Sequence, residues 1–145
     1  MKRLSGIVVL CALALVWECV SRAGLVSKLY FPPVSTIAAT FWELTVSGAL
    51  PAQAGETFAR AVAGLLAALA LAGPLGLAMG TSRRLSALLT PAVELVRPVP
   101  PPAVIPAAML LLGIGTGMKL AVIVFACFFP ILVGAADGAR HVEPG

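Results

Sequence analysis

The sequence predicts an all-α bundle of membrane-crossing helices, and three observations carry that expectation. Of the 145 residues, 60% are hydrophobic and only 11% charged, against about 45–50% and about 25% in soluble globular domains. The mean hydropathy is +1.04. Apolar residues also gather into runs near the roughly 20 residues that a helix needs to cross a bilayer. A chain this short has too small an interior to hide so much apolar surface from water, so lipid is its expected solvent.

The charges agree with this. Ten Lys and Arg against six Asp and Glu give a net charge of +4. The cations are scattered and the aromatics few, whereas a nucleic-acid surface needs a basic stripe. Cations set between apolar runs read as topology signals instead. Cys11, Cys19 and Cys127 lie in or beside apolar runs with no C-x-x-C pair. They read as small apolar side chains and say nothing of redox compartment.

The first run covers residues 4–17 behind Met1-Lys2-Arg3. A positive end and an apolar core also describe a signal peptide. No small-x-small cleavage site follows, and the residues before Cys19 make a poor lipoprotein box, so an uncleaved span over about 4–20 is expected. Glu18 then sits near its far end, where a charge reaches the interface.

Phe31-Pro32-Pro33-Val34-Ser35 reads as an extended lead into a helix with Ser35 as N-cap. Beyond it Ile37, Phe41 and Leu44 share one face, and Thr36, Thr40, Glu43 and Ser47 another, up to Gly48. Such a helix suits the membrane surface, or equally a seat against the protein's own bundle. Glu56 and Arg60 form a helical i,i+4 pair before the next span.

That span, 61–80, carries no charge. Gly64, Ala68, Ala72, Gly76 and Gly80 recur every fourth residue, a stripe that lets a second helix approach closely in lipid. Chance in an Ala/Gly/Leu-rich segment is the alternative. Gly73-Pro74 is expected to bend the helix. Arg83-Arg84 then marks the cytoplasmic side. With Lys2 and Arg3 two crossings away, the N-terminus is expected inside.

Residues 85–96 are apolar apart from Glu94 but too short to cross alone. Arg97 is followed by Pro98, Pro100, Pro101, Pro102 and Pro106, which a continuous α-helix does not accommodate. One reading is a proline-broken span over 85–117 beside a cavity, as transporters build. The other is an interfacial helix, a turn in the headgroups and a separate span from about Val99. Gly113-Ile114-Gly115-Thr116-Gly117-Met118-Lys119 fails as a phosphate loop, because Met118 stands where glycine must precede the lysine. It reads as a tight turn. The last span is 120–136, kinked at Pro130, before a polar tail holding Asp137, Arg140, His141 and Glu143. The single histidine, His141, reads as a solvated loop residue. No nucleophile, metal cluster or nucleotide motif is present in the sequence, so no catalytic, cofactor or metal site is expected.

An ordered series of short motifs carries a resemblance. It runs Phe31-Pro32-Pro33-Val34-Ser35, Thr57…Arg60…Gly64, Gly73-Pro74-Leu75-Gly76…Gly80 and Pro91…Glu94-Leu95-Val96-Arg97-Pro98-Val99-Pro100. Pro106, Gly113-Ile114-Gly115…Lys119, Phe128-Phe129-Pro130 and Gly138…Val142 complete it. From Trp17-Glu18 onward the chain resembles the permease subunits of ABC importers of the nitrate/sulfonate/taurine group.

The resemblance implies a transport fold of six helices, of which about four are present here. It also implies residence in the bacterial plasma membrane and four kinds of partner: a second permease copy, ATPase subunits, an extracytoplasmic solute-binding protein and the lipid bilayer. It places Arg97, Pro100, Pro101 and Pro106 near the translocation path. In this group a cytoplasmic Glu-Ala-Ala…Gly loop docks the ATPase after the fourth span. The sequence reaches Pro144-Gly145 where that loop is expected to begin, so either a fragment of a permease or the product of a truncated gene is expected, uncoupled from ATP hydrolysis when alone. Sulfonate, taurine, nitrate and pyrimidine-like solutes all stay open. Arg97 either attracts an anion or snorkels to the headgroups. The competing reading is a non-transport membrane anchoring or assembly protein; a membrane enzyme ranks below both.

Overall fold

A computed structural model describes residues 2–141, and among them every regular element is an α-helix. In order these are α1 (Lys2–Arg22), α2 (Val34–Val46), α3 (Ala49–Thr81), α4 (Arg83–Val96), α5 (Pro101–Leu112) and α6 (Thr116–Arg140). The side chains of residues 2–5 and everything beyond His141 lie outside the described set. The Lys2-Arg3 signal, Val142 of the last motif and Glu143 of the tail lie there too. The chain divides into two units, Met1–Ala54 and Gly55–Gly145, each described by itself.

In the first unit α1 packs against α2 around a small polar knot. Ser35 is not the N-cap: Pro33 holds that position, with no side-chain cap of its own. Glu18 supplies the missing acceptor from α1. Its Oε2 accepts the Ser35 amide at 3.0 Å, and its Oε1 accepts the Ser35 hydroxyl at 2.7 Å. An orphan amide at a helix start is thereby satisfied by a carboxylate from another helix. Arg22, one turn on, donates to Glu18 at 2.6 Å and to Ser35 Oγ at 3.1 Å. Glu18 is therefore tied to α2 rather than only held at an interface.

Ser21, fully buried, donates to the Phe31 carbonyl at 2.6 Å. Trp17 meets the Phe31 ring edge-on at 6.3 Å, a favourable aromatic geometry. No residue of α2 is buried. Ile37, Phe41 and Leu44 share one open groove with Thr36 and Thr40, so the two expected faces merge there. The helix stops at Val46, and Gly48 takes φ +78°, a backbone open to glycine at little steric cost. That one residue lets α3 start at Ala49.

The second unit contains the rest of α3 and α4–α6. α3 begins twelve residues before the expected span and runs 33 residues without a break. Glu56 pairs with Arg60. Gly64, Ala68, Ala72 and Gly76 are buried. A methyl group built on Gly64 would meet Ile123 Cγ2 at 2.5 Å, and one on Gly80 would meet Ala139 Cβ at 2.5 Å. At Gly76 it would press on the Leu132 carbonyl and stand 2.8 Å from Ala135 Cβ. α3 and α6 thus touch backbone to backbone, where only hydrogen fits. Ala72, Met79, Leu132 and Ala136 form the core of this unit, with Leu85, Leu89 and Val93 of α4 packed on it.

The proline segment resolves into two helices bent by 92° across residues 97–100. Ser82 caps α4 by accepting the Leu85 amide at 3.3 Å. Pro101 and Pro102 open α5, where no intrahelical donor is needed. The break is therefore confined to 97–100. Pro106 sits inside α5, as do Pro74 in α3, Pro91 in α4 and Pro130 in α6. Each is absorbed with the loss of one i→i−4 bond. Gly113, at φ +71°, ends α5. α6 extends four residues past the expected span, so Asp137 and Arg140 stand on its last turn rather than in a loop.

Among the described residues, α3 and α6 are long and apolar enough to cross a membrane. The bent pair α4–α5 meets the same test taken together. Leu110, Leu111 and Ile114 are more than four-fifths exposed, surface that lipid solvates without penalty.

Candidate functional site

Several polar groups of the second unit line one cleft, which reaches the α4–α5 bend at Arg97. This cleft, of about 240 Å³, is lined by Thr90 and Glu94 of α4, by its C-cap Arg97, and by Leu132, Asp137 and Arg140 of α6, with Met79 of α3 also in its wall. Local sequence explains the arrangement. Both helices carry an acid three residues before an arginine, Glu94-x-x-Arg97 and Asp137-x-x-Arg140, a spacing that puts the two charges on one face. Asp137 Oδ1 accepts from Arg140 at 3.3 Å, and the second guanidinium nitrogen reaches Ser86 Oγ at 2.9 Å. Arg140 therefore ties the end of α6 to the first turn of α4. His141 caps α6 and keeps its Nδ1 2.7 Å from the Asp137 carbonyl.

Two guanidinium groups and two carboxylates make the cleft electrically balanced but strongly polar, over an apolar floor. Such a surface can hold a small charged solute by paired contacts. Of the residues expected near a path, Arg97 lines the cleft. Pro100 caps α5 and is exposed, Pro101 is half-buried at the α5 start, and Pro106 is exposed in mid-helix. None of the three lines this cleft. Glu94, Asp137 and Arg140 were not singled out as site residues, although their acid-x-x-arginine repetition was readable. A further apolar cleft, of about 320 Å³, includes Thr57, Arg60, Ile105 and Lys119.

Comparison with known proteins shows what the chain is similar to. Over 141 residues the chain is 33% identical to the taurine transport system permease protein TauC of Escherichia coli (strain K12), covering 92% of this chain and 50% of that protein. Over 140 residues it is 30% identical to SsuC of Bacillus subtilis (strain 168), named as an aliphatic sulfonates transport permease. That match covers 97% of this chain and 51% of SsuC. An ABC transporter permease protein of Methanocaldococcus jannaschii shares 37% identity over 83 residues, 57% of this chain and 31% of its own. No family model and no solved structure matches.

The chain is an integral membrane protein of the inner membrane, similar over more than nine-tenths of its length to ABC transporter permeases. Permeases named for taurine and for aliphatic sulfonates are among the proteins it is similar to. It spans about half the length of the curated relatives it matches.

Proposed function

We propose that the chain forms part of the membrane path of an ATP-driven importer for a small organic anion of the sulfonate type. The observation that carries this reading is its similarity, over more than nine-tenths of its length, to permeases named for taurine and aliphatic sulfonates. A soluble binding protein would deliver the solute, two ATPase subunits would supply the energy, and a second permease copy would complete the path. The spans would be α1, α3, the bent α4–α5 pair and α6, with the N-terminus cytoplasmic. Arg97, at the mouth of the bend, is the path residue with the chemistry to meet a sulfonate. Pro98 and Pro100 would hold the bend that exposes it, and Pro100, Pro101 and Pro106 would shape the wall. Gly64, Ala68, Ala72, Gly76 and Gly80 would set the α3–α6 contact.

Growth on taurine or an alkanesulfonate as sole sulfur source tests this. Deleting the gene should abolish such growth and leave growth on sulfate intact. R97Q should lower sulfonate uptake about tenfold, the scale of one charge-assisted hydrogen bond, at unchanged membrane abundance. Undiminished growth of the deletion strain on every sulfonate would refute the solute class.

A further inference from the structure

A second cleft lies where α3, α4 and α6 come together at Thr81 and Arg140. It has a volume of about 470 Å³ and is lined by Gly80, Arg83, Ser86, Ala139 and Arg140 among others; the acid Asp137 stands outside this lining and accepts from Arg140 at 3.3 Å. Four features of this place point the same way. Two guanidinium groups reach it from different helices, Arg83 from α4 and Arg140 from α6. Ser86, between them, accepts from Arg140, and a hydroxyl that accepts still has its own proton to give. Gly80, Ala87 and Ala139 are small, so the wall stands back and leaves room. Arg83 and Ser86 also sit on the first turn of α4, whose amides and dipole favour an anion.

We propose that this cleft binds a phosphate group, presented by the headgroup of an anionic lipid. A guanidinium pair with a hydroxyl donor is the kind of donor set that phosphate oxygens accept from. Thr81 and Arg140 are the last residues of two helices apolar enough to cross a membrane, so headgroups are the phosphates nearest this depth. Basic pockets between spans are where anionic headgroups bind. The inference rests on reading α3 and α6 as spans; it needs no transport activity, so its failure would leave the importer reading standing.

The test uses the intact protein in detergent, with native mass spectrometry counting retained lipid and thermal unfolding followed in parallel. Phosphatidylglycerol should be retained in preference to phosphatidylcholine. R83Q and R140Q should each weaken retention about fivefold, the effect of roughly one basic residue near a membrane surface. R84Q is the control: Arg84 lies in the same turn and carries the same charge but does not line the cleft. It should change nothing.

Arg140 also holds α6 to α4, so R140Q is read with its unfolding curve. Arg83 is exposed, and R83Q decides the matter alone. Inorganic phosphate that displaces phosphatidylglycerol, in an Arg83-dependent way, would uphold the phosphate site and make free phosphate a rival occupant. Equal losses in R83Q and R84Q would overturn the proposal, as would the absence of both lipid preference and phosphate binding.

Discussion

Single atoms decide the closest contacts in this protein. At Gly76 an added methyl group collides with backbone, which has no rotamer to escape into. Gly76→Leu should therefore force α3 away from α6 and cost about 1–3 kcal/mol, the range for overpacked sites, as a lowered unfolding midpoint in detergent. Gly73, three residues earlier, meets only Leu69 Cδ1 at 3.9 Å. Gly73→Ala should leave that midpoint unchanged or raise it, because alanine favours helix over glycine. The residue-scale lesson differs at Ser35. Sequence spacing marks it as a cap, yet Pro33 holds that position and the acceptor for the Ser35 amide is Glu18, seventeen residues away. No local pattern reveals an acceptor that arrives from another helix. E18A should accordingly speed hydrogen exchange at the Ser35 amide, while exchange at mid-α2 amides such as Phe41 stays as it was.

At the scale of elements, composition and proline placement were good guides to where helices occur and poorer guides to where they end. The uncharged stretch 61–80 locates α3, and Glu56 with Arg60 reads as a helical pair ahead of it, but no local signal puts the start of the helix at Ala49. A helix that leaves the hydrocarbon continues as long as its polar residues pair, as Glu56 and Arg60 do. The Arg97–Pro106 segment was legible as a break and not as a 92° turn, because prolines at a helix start and prolines inside one look alike in a sequence. The arrangement of spans has a direct check. In a chain with Cys11, Cys19 and Cys127 replaced by Ala, R84C should react with an impermeant thiol reagent only from the cytoplasmic side. M118C should react only from the opposite side. Reaction of both from one side would refute a crossing by α4–α5.

For the molecule as a whole, the proposed importer role rests on similarity to permeases named for taurine and aliphatic sulfonates, and the charged cleft is where that proposal meets chemistry. The cleft was only partly legible beforehand. Arg97 stood out beside its prolines, whereas Asp137 and Arg140 were assigned to a tail, and only the full length of α6 brings them opposite α4. The interior prolines carry a consequence at this scale too. Each helix of the second unit has one, at Pro74, Pro91, Pro106 and Pro130. By covalent necessity the carbonyls of Ala70, Ala87, Pro102 and Ala126 receive no amide from those prolines. Flexing at each of these four levels stretches one backbone hydrogen bond fewer than flexing elsewhere in the same helix. The unit is thus a frame with one soft joint per strut, rigid along each helix segment and compliant between them.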